Sequence, residues 1–165
     1  MQQAKIDKVF SNPVVQELMR SSVPARFAYN GPDDFPRVVP IGFFWNGRQF
    51  LLFTPPNAPK VPALTANSKL ALTIDTNAMP PNILLVRGTV TLKQVDGVPD
   101  EYIEASRKVV DEAGFAEWEA GVRALYKQMV RITLTPTWAK FIDFKTTLPS
   151  AVEELIKEAQ VATAK

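Results

Sequence analysis

The chain has 165 residues, 46% hydrophobic and 22% charged, with a net charge of +2 and neither cysteine nor histidine. One domain is expected at this length, at which folding can bury roughly 70% of the unfolded chain's surface, and the near-balanced charge gives no argument for a nucleic-acid partner. The missing cysteines exclude disulfides, thiolate nucleophiles and zinc–thiolate sites; the missing histidines exclude serine–histidine triads and argue against a metal centre. Chemistry is therefore expected to come from a bound cofactor. The amino terminus is polar and no apolar run approaches the ~20 residues that a bilayer-crossing helix needs, so the expected location is the cytoplasm, with no membrane partner.

Residues 2–10 carry Ile6, Val9 and Phe10 at helical spacing, and Asn12 with Pro13 reads as the cap and first-turn proline of a second helix over 13–20. A first strand is expected over 24–29, followed by the turn-rich Asn30-Gly31-Pro32-Asp33-Asp34. Two aromatic-rich strands, 37–45 and 48–54, flank Asn46-Gly47, the signal for a type I′ hairpin. Pro55, Pro56 and Pro59 then force the chain out of the sheet, and Lys60 opens a short helical run over 61–66. Strands follow over 69–75 and 83–92, with Gly88 marking a bulge or a close backbone approach. Helices are expected over 99–113 and 115–128, the second presenting Trp118, Val122, Leu125 and Tyr126 on one face. Residues 129–135 and 137–145 return to strand character on either side of Pro136, and Ser150 with Glu153 fits a capping box for a C-terminal helix.

The predicted organisation is one α+β domain. It comprises N-terminal helices 2–20, a barrel core over 24–95 and 129–145, inserted helices over 99–128 and a C-terminal helix over 149–162. Six to seven short strands with tight hairpins suggest a small antiparallel barrel with peripheral helices. Its exposed edges call for cover, which dimerisation would supply.

Neither a dinucleotide-binding glycine motif nor a P-loop is present. The acid pairs Asp33-Asp34 and Glu153-Glu154 fall on a turn and a helix face, where solvation is the ordinary reading. Trp45, Trp118 and Trp138 are not interleaved with a basic stripe, so they read as core or interface rather than as base-stacking platforms. One polar corner stands out: the Thr54 hydroxyl at a strand end, the N–H groups of a helix start, and Lys60 six residues on. These groups could hold a phosphate; a solvated loop lysine is the commoner alternative.

Arg37-Val38-Val39-Pro40-Ile41-Gly42, then Phe53-Thr54, then Lys60, resembles the flavin-binding pattern of the pyridoxamine 5′-phosphate oxidase-like split-barrel family. The resemblance covers roughly residues 24–93 and implies a homodimeric split β-barrel that binds FMN at the subunit interface. In that reading Arg37 and Lys60 hold the flavin phosphate with Thr54 as a donor. Val38, Val39, Pro40, Ile41 and Gly42 offer backbone groups to the ring edge, Phe53 accompanies Thr54, and Asn82 or Ile83 supplies a further ring contact. Gly42 and Pro59 stand where vitamin-oxidising members have lysine and arginine, and the Arg-x-His pattern of true pyridoxamine phosphate oxidases is missing. The implied activity is thus an FMN-dependent oxidoreductase acting on a small molecule, with no catalytic side chain assigned. The alternatives are a non-catalytic flavin-binding module and a reductase using 8-hydroxy-5-deazaflavin; the lack of histidine argues against haem.

Overall fold

A computed structural model describes residues 2–163. Its elements in order are α1 (Gln2–Phe10), α2 (Pro13–Arg20), β1 (Ala25–Asn30), β2 (Pro36–Ile41), β3 (Phe44–Trp45), β4 (Phe50–Thr54), α3 (Lys60–Ala66), β5 (Lys69–Asp75), β6 (Ile83–Asp96), α4 (Asp100–Ser106), α5 (Phe115–Leu125), β7 (Gln128–Ile142) and α6 (Ser150–Thr163), with a 3-10 turn at Glu112–Gly114. The seven strands form one antiparallel sheet in the order β2-β1-β5-β6-β7-β4-β3.

The chain itself forces this sheet to curl. Its two edge strands, β2 and β3, are joined by only Gly42 and Phe43. Ile41 and Phe44 therefore lie within about 11 Å, three Cα steps of ~3.8 Å, whereas the outer strands of a flat seven-stranded sheet would stand about 29 Å apart. The long β6–β7 ladder serves both halves of the resulting barrel. Residues 83–89 of β6 pair with β5, whereas β4 pairs with residues 130–134 of β7, which lie opposite the lower part of β6. This offset is the split, and α3 bridges it by placing Ala63 and Leu64 in the core.

Strand alternation sorts the side chains into two clusters. Phe27, Phe50, Leu52, Leu72, Leu84, Val86, Ile132 and Leu134 fill the interior, and Ile6, Phe10, Val15, Leu18 and Met19 from α1 and α2 pack into the same core. Phe10 stacks on Trp45 at 4.4 Å between ring centroids. Leu51 and Phe53 point to the other side of β4, where Val98, Ile103, Phe115 and Met129 cover them.

Several expected boundaries move, each for a local reason. Asn46 is not among the residues with positive φ, so the type I′ hairpin does not form. Instead the Asn46 carboxamide oxygen accepts from the N–H groups of Arg48 and Gln49 in a loop over residues 46–49, and β4 starts at Phe50 rather than Arg48. The apolar run 37–45 is broken at Gly42-Phe43, where the chain turns the barrel corner. Pro136 does not end a strand. A register shift between Arg87 and Gly88 sets Gly88 opposite Pro136, and a bulge tolerates a residue without an N–H, so β7 runs unbroken. The helix expected over 99–113 stops at Ser106, and Asp111, extended at φ −61° and ψ 135°, caps the following 3-10 turn. On α5, Trp118, Val122 and Tyr126 pack as expected but Leu125 is exposed. Ser150 is helical rather than a cap: its hydroxyl accepts from Lys140, and the Glu153 carboxylate accepts from the Leu148 N–H.

Candidate functional site

Thr54 ends β4 on the inward side shared by Phe50 and Leu52, and it is only 3% exposed. The chain then leaves through Pro55 and Pro56, the Ala58 N–H bonds the Pro55 carbonyl, and α3 opens at Lys60. This short return brings the Lys60 ammonium to 3.4 Å from the Thr54 hydroxyl. Lys60 has no carboxylate partner among the described residues, and its partial burial lowers its pKa from the ordinary lysine value. A desolvated cation without a counter-ion beside a buried hydroxyl is a donor set that suits a phosphate. The helix start adds less than the sequence implied: the Val61 N–H is bonded to the Ala58 carbonyl, and Pro59 and Pro62 have no N–H.

Arg37 is placed differently. It sits on β2 with Val39 and Ile41, both of which pack against the interior, but its guanidinium bends over Gly31, where one terminal nitrogen donates to both Asp33 carboxylate oxygens at 2.8 and 2.9 Å. No bond joins Arg37 to Thr54 or Lys60. For Arg37 to take part in holding a phosphate, it would have to exchange Asp33 for that ligand.

Val38 is 61% exposed on the opposite face of β2 from Val39. Pro40, Ile41 and Gly42 line a pocket of about 220 Å³, together with Ser21, Ser22, Phe43, Ala105 and Lys108. A Cβ added at Gly42 would meet nothing within 4 Å, so the backbone there is open to a ligand. Phe53 is buried on the outer side of β4 against Tyr102, at 5.9 Å between rings. Asn82 precedes β6; its carbonyl accepts from the Thr76 N–H at 3.1 Å and its own N–H donates to the Thr76 hydroxyl at 3.0 Å. Of the predicted residues, Thr54 and Lys60 share one corner, Arg37 pairs with Asp33, and Pro40, Ile41 and Gly42 line one pocket, whereas Val38, Phe53 and Asn82 lie apart from all three.

Sequence reasoning passed over Lys108. Its ammonium donates to the Met19 carbonyl at 2.8 Å and the Phe43 carbonyl at 3.2 Å, and lies 4.0 Å from the Phe43 ring centroid. Burial pushes its pKa down to about 8. A larger hollow of about 450 Å³ lies over Ala28, Ala71 and Gly88, rimmed by Lys69 and Arg87, and contains none of the predicted residues. Among the described residues there is no cluster of potential metal ligands, and no helix is long and apolar enough to cross a membrane.

An antiparallel sheet curled in this way, with a lysine–threonine corner after its fourth strand, defines a split-barrel protein. The chain belongs to the pyridoxamine 5′-phosphate oxidase family, whose profile matches residues 11–141. Among solved structures, an F420 reductase is similar at 22% identity, covering 76% of this chain and 94% of its own, with a TM-score of 0.58. A putative pyridoxamine 5′-phosphate oxidase from Listeria innocua is 15% identical, with coverage of 79% and 95% and a TM-score of 0.53. HutZ, the haem storage protein of Vibrio cholerae, is 12% identical, with coverage of 78% and 92% and a TM-score of 0.57. These likenesses establish the fold. No curated protein matches the sequence.

Proposed function

We propose that the protein is a flavin-dependent oxidoreductase that holds FMN by its phosphate at Thr54 and Lys60 and acts on a small organic substrate. The observation that carries this reading is the Lys60 ammonium, partly desolvated, without a carboxylate partner among the described residues, and 3.4 Å from a buried threonine hydroxyl. A phosphate dianion would supply the missing counter-charge and accept from both groups. The flavin, when bound, supplies hydride transfer. The chain's part is to anchor the phosphate and to offer the open backbone at Gly42 and the apolar walls of Pro40 and Ile41 to the ring.

A phosphorylated derivative of the deazaflavin would use the same corner. Two features favour keeping that reading: the open space at Gly42, and the commitment of Arg37 to Asp33, which leaves the phosphate fewer cations. The protein is further proposed to act as a homodimer in which the second copy covers the exposed apolar side chains Phe35 and Val38 beside edge strand β2.

Titration with FMN and with a deazaflavin, read by quenching of cofactor fluorescence, tests the assignment. A Lys60→Ala, Thr54→Val double variant is expected to weaken binding by at least about 100-fold, the loss of two charge-assisted hydrogen bonds at about 1.5–3 kcal/mol each. Undiminished affinity in a folded variant refutes the site.

A further inference from the structure

The 450 Å³ hollow on the outer face of the sheet has a cause in the sequence. Ala28, Ala71, Arg87 and Trp138 stand opposite one another in a row across β1, β5, β6 and β7. Two alanines side by side leave a trough, and the Arg87 guanidinium, stacked 4.6 Å from the Trp138 ring centroid, bounds it on one side. Leu70 and Pro36 add hydrocarbon to the lining. Lys69 is the diagonal neighbour of Arg87 on the β5–β6 ladder, at a Cα separation of about 7–8 Å. Neither cation has a carboxylate partner among the described residues, and no acidic residue lines the hollow.

The C-terminal helix α6 has the matching chemistry and no seat. Lys140 fixes only its first turn, donating to the Ser150 hydroxyl at 2.9 Å and pairing with Glu153 at 3.9 Å. Val152, Leu155 and Ile156 form an apolar stripe at helical spacing, yet all three are exposed and α6 adds no residue to either core cluster. Glu154 and Glu158 run beside that stripe one turn apart, a rise of about 6 Å, close to the spacing of Lys69 and Arg87. Neither acid has a cationic partner among the described residues. With its first turn held at Lys140, α6 supplies no residue to its own hollow.

We propose that α6 of one copy lies in the Lys69–Arg87 hollow of a second copy, and reciprocally. Leu155 and Ile156 seat on Ala28 and Ala71, and Glu154 and Glu158 meet the two rim cations. Each copy gives one helix and one hollow, so the exchange closes at two. The hollow reaches Pro36, next to the exposed Phe35, so one partner covers both. This arrangement presupposes the homodimer proposed above and none of its cofactor chemistry.

The chain has no cysteine, so an introduced pair reports on one contact alone. Ala71→Cys with Ile156→Cys, made in the full chain and held in a glutathione redox buffer, forms a disulfide only where the two Cα atoms come within about 7 Å. The double variant is expected to give at least about ten-fold more covalent dimer on non-reducing gels than either single variant, because docking raises the local thiol concentration towards millimolar. Adding Lys69→Glu and Arg87→Glu should cut that yield by roughly ten-fold through facing like charges, and Glu154→Lys with Glu158→Lys in the same chain should restore it. Light scattering on the wild type separates the two ideas. A dimer whose cysteine pair stays unlinked overturns the helix exchange and leaves the homodimer standing, whereas a monomer overturns both. Loss of both thiols without a covalent dimer shows α6 folded onto its own hollow, which refutes the second copy as occupant. On the unsubstituted protein, carbodiimide is expected to join Glu154 or Glu158 to Lys69 within the covalent-dimer band, read by peptide mass mapping. That band without the link overturns the proposal even where a cysteine variant folds poorly.

Discussion

Replacing Gly88 by alanine is expected to destabilise the barrel, against the usual trend. Alanine in a strand is ordinarily better than glycine by about 0.5–1 kcal/mol, because glycine loses more backbone freedom on folding. At this bulge the added Cβ would lie 2.1 Å from the Thr135 carbonyl oxygen and 2.8 Å from a Leu134 methyl. A comfortable carbon–oxygen contact is about 3.3 Å, so β6 and β7 must part by roughly 1.2 Å at that point. The neighbouring ladder bonds cannot follow: stretched by that amount they leave the usual hydrogen-bond range of about 2.7–3.2 Å. Overpacking costs about 1–3 kcal/mol, and two weakened hydrogen bonds add about 0.5–1.5 kcal/mol each. Less the usual gain from alanine, the net is about 1–5 kcal/mol. At ~2–4 °C per kcal/mol for a chain of this size, the melting temperature should fall by about 2–20 °C. Thermal unfolding followed by circular dichroism measures this directly. Gly121→Ala is the matched control, because Gly121 lies within α5 and an added Cβ meets nothing within 4 Å. That change should raise the melting temperature by about 1–4 °C through helix propensity alone. Equal effects of the two substitutions, or an unchanged melting temperature in Gly88→Ala, would refute the close-approach argument.

Asp33→Asn should release Arg37 for a phosphate. Because the pair is partly exposed, its worth is about 0.2–1 kcal/mol, and cofactor affinity should rise by up to about five-fold in fluorescence titration; weaker binding would show that Asp33 orients Arg37 rather than competing for it. Lys108 makes stability depend on alkaline pH. Its pKa is about 8 in the folded chain against 10.5 for an ordinary lysine, so between these values the unfolded state binds more protons and folding is progressively favoured as pH rises. After discounting for the solvent that reaches a half-exposed side chain, the gain is about 1–2 kcal/mol. Urea melts of wild type and Lys108→Met should therefore diverge in favour of wild type from pH 8 to 10.5 and run parallel below pH 8; parallel curves throughout would sink the idea.

Periodicity alone carried the helices and strands whose partners lie close in sequence. Asn12 and Pro13 announce α2, and β5 occupies the expected residues Lys69–Asp75. It failed where a distant segment decides the outcome. Pro136 reads as a strand end until Gly88 is seen opposite it, and the continuous apolar run over 37–45 conceals a corner that only barrel closure requires. The same distinction separates the parts of the candidate site. Thr54 and Lys60 share one proline-rich loop, so their proximity was legible in their spacing. Nothing beside Lys108 in the sequence signals its role, because both of its carbonyl partners come from remote segments. Arg37 shows the reverse case: a residue legible as a phosphate ligand stands four positions from an aspartate that takes its guanidinium first.

The flush end of the β6–β7 ladder has a topological consequence. Asp96 pairs with Gln128, and the Gly97 N–H bonds the Lys127 carbonyl, so the excursion over residues 97–127 leaves and re-enters the barrel at adjacent points. To the sheet, α4 and α5 are the contents of an enlarged hairpin turn. Closing a loop of that length rather than a four-residue turn costs only ~2 kcal/mol of chain entropy, because the penalty grows with the logarithm of length. The barrel is thus almost indifferent to what the turn contains, provided that something covers Leu51, Phe53 and Met129. Since Ala105, Lys108 and Val109 belong to this same excursion, one wall of the Gly42 pocket can be rewritten in length and sequence without redrawing a single strand pairing.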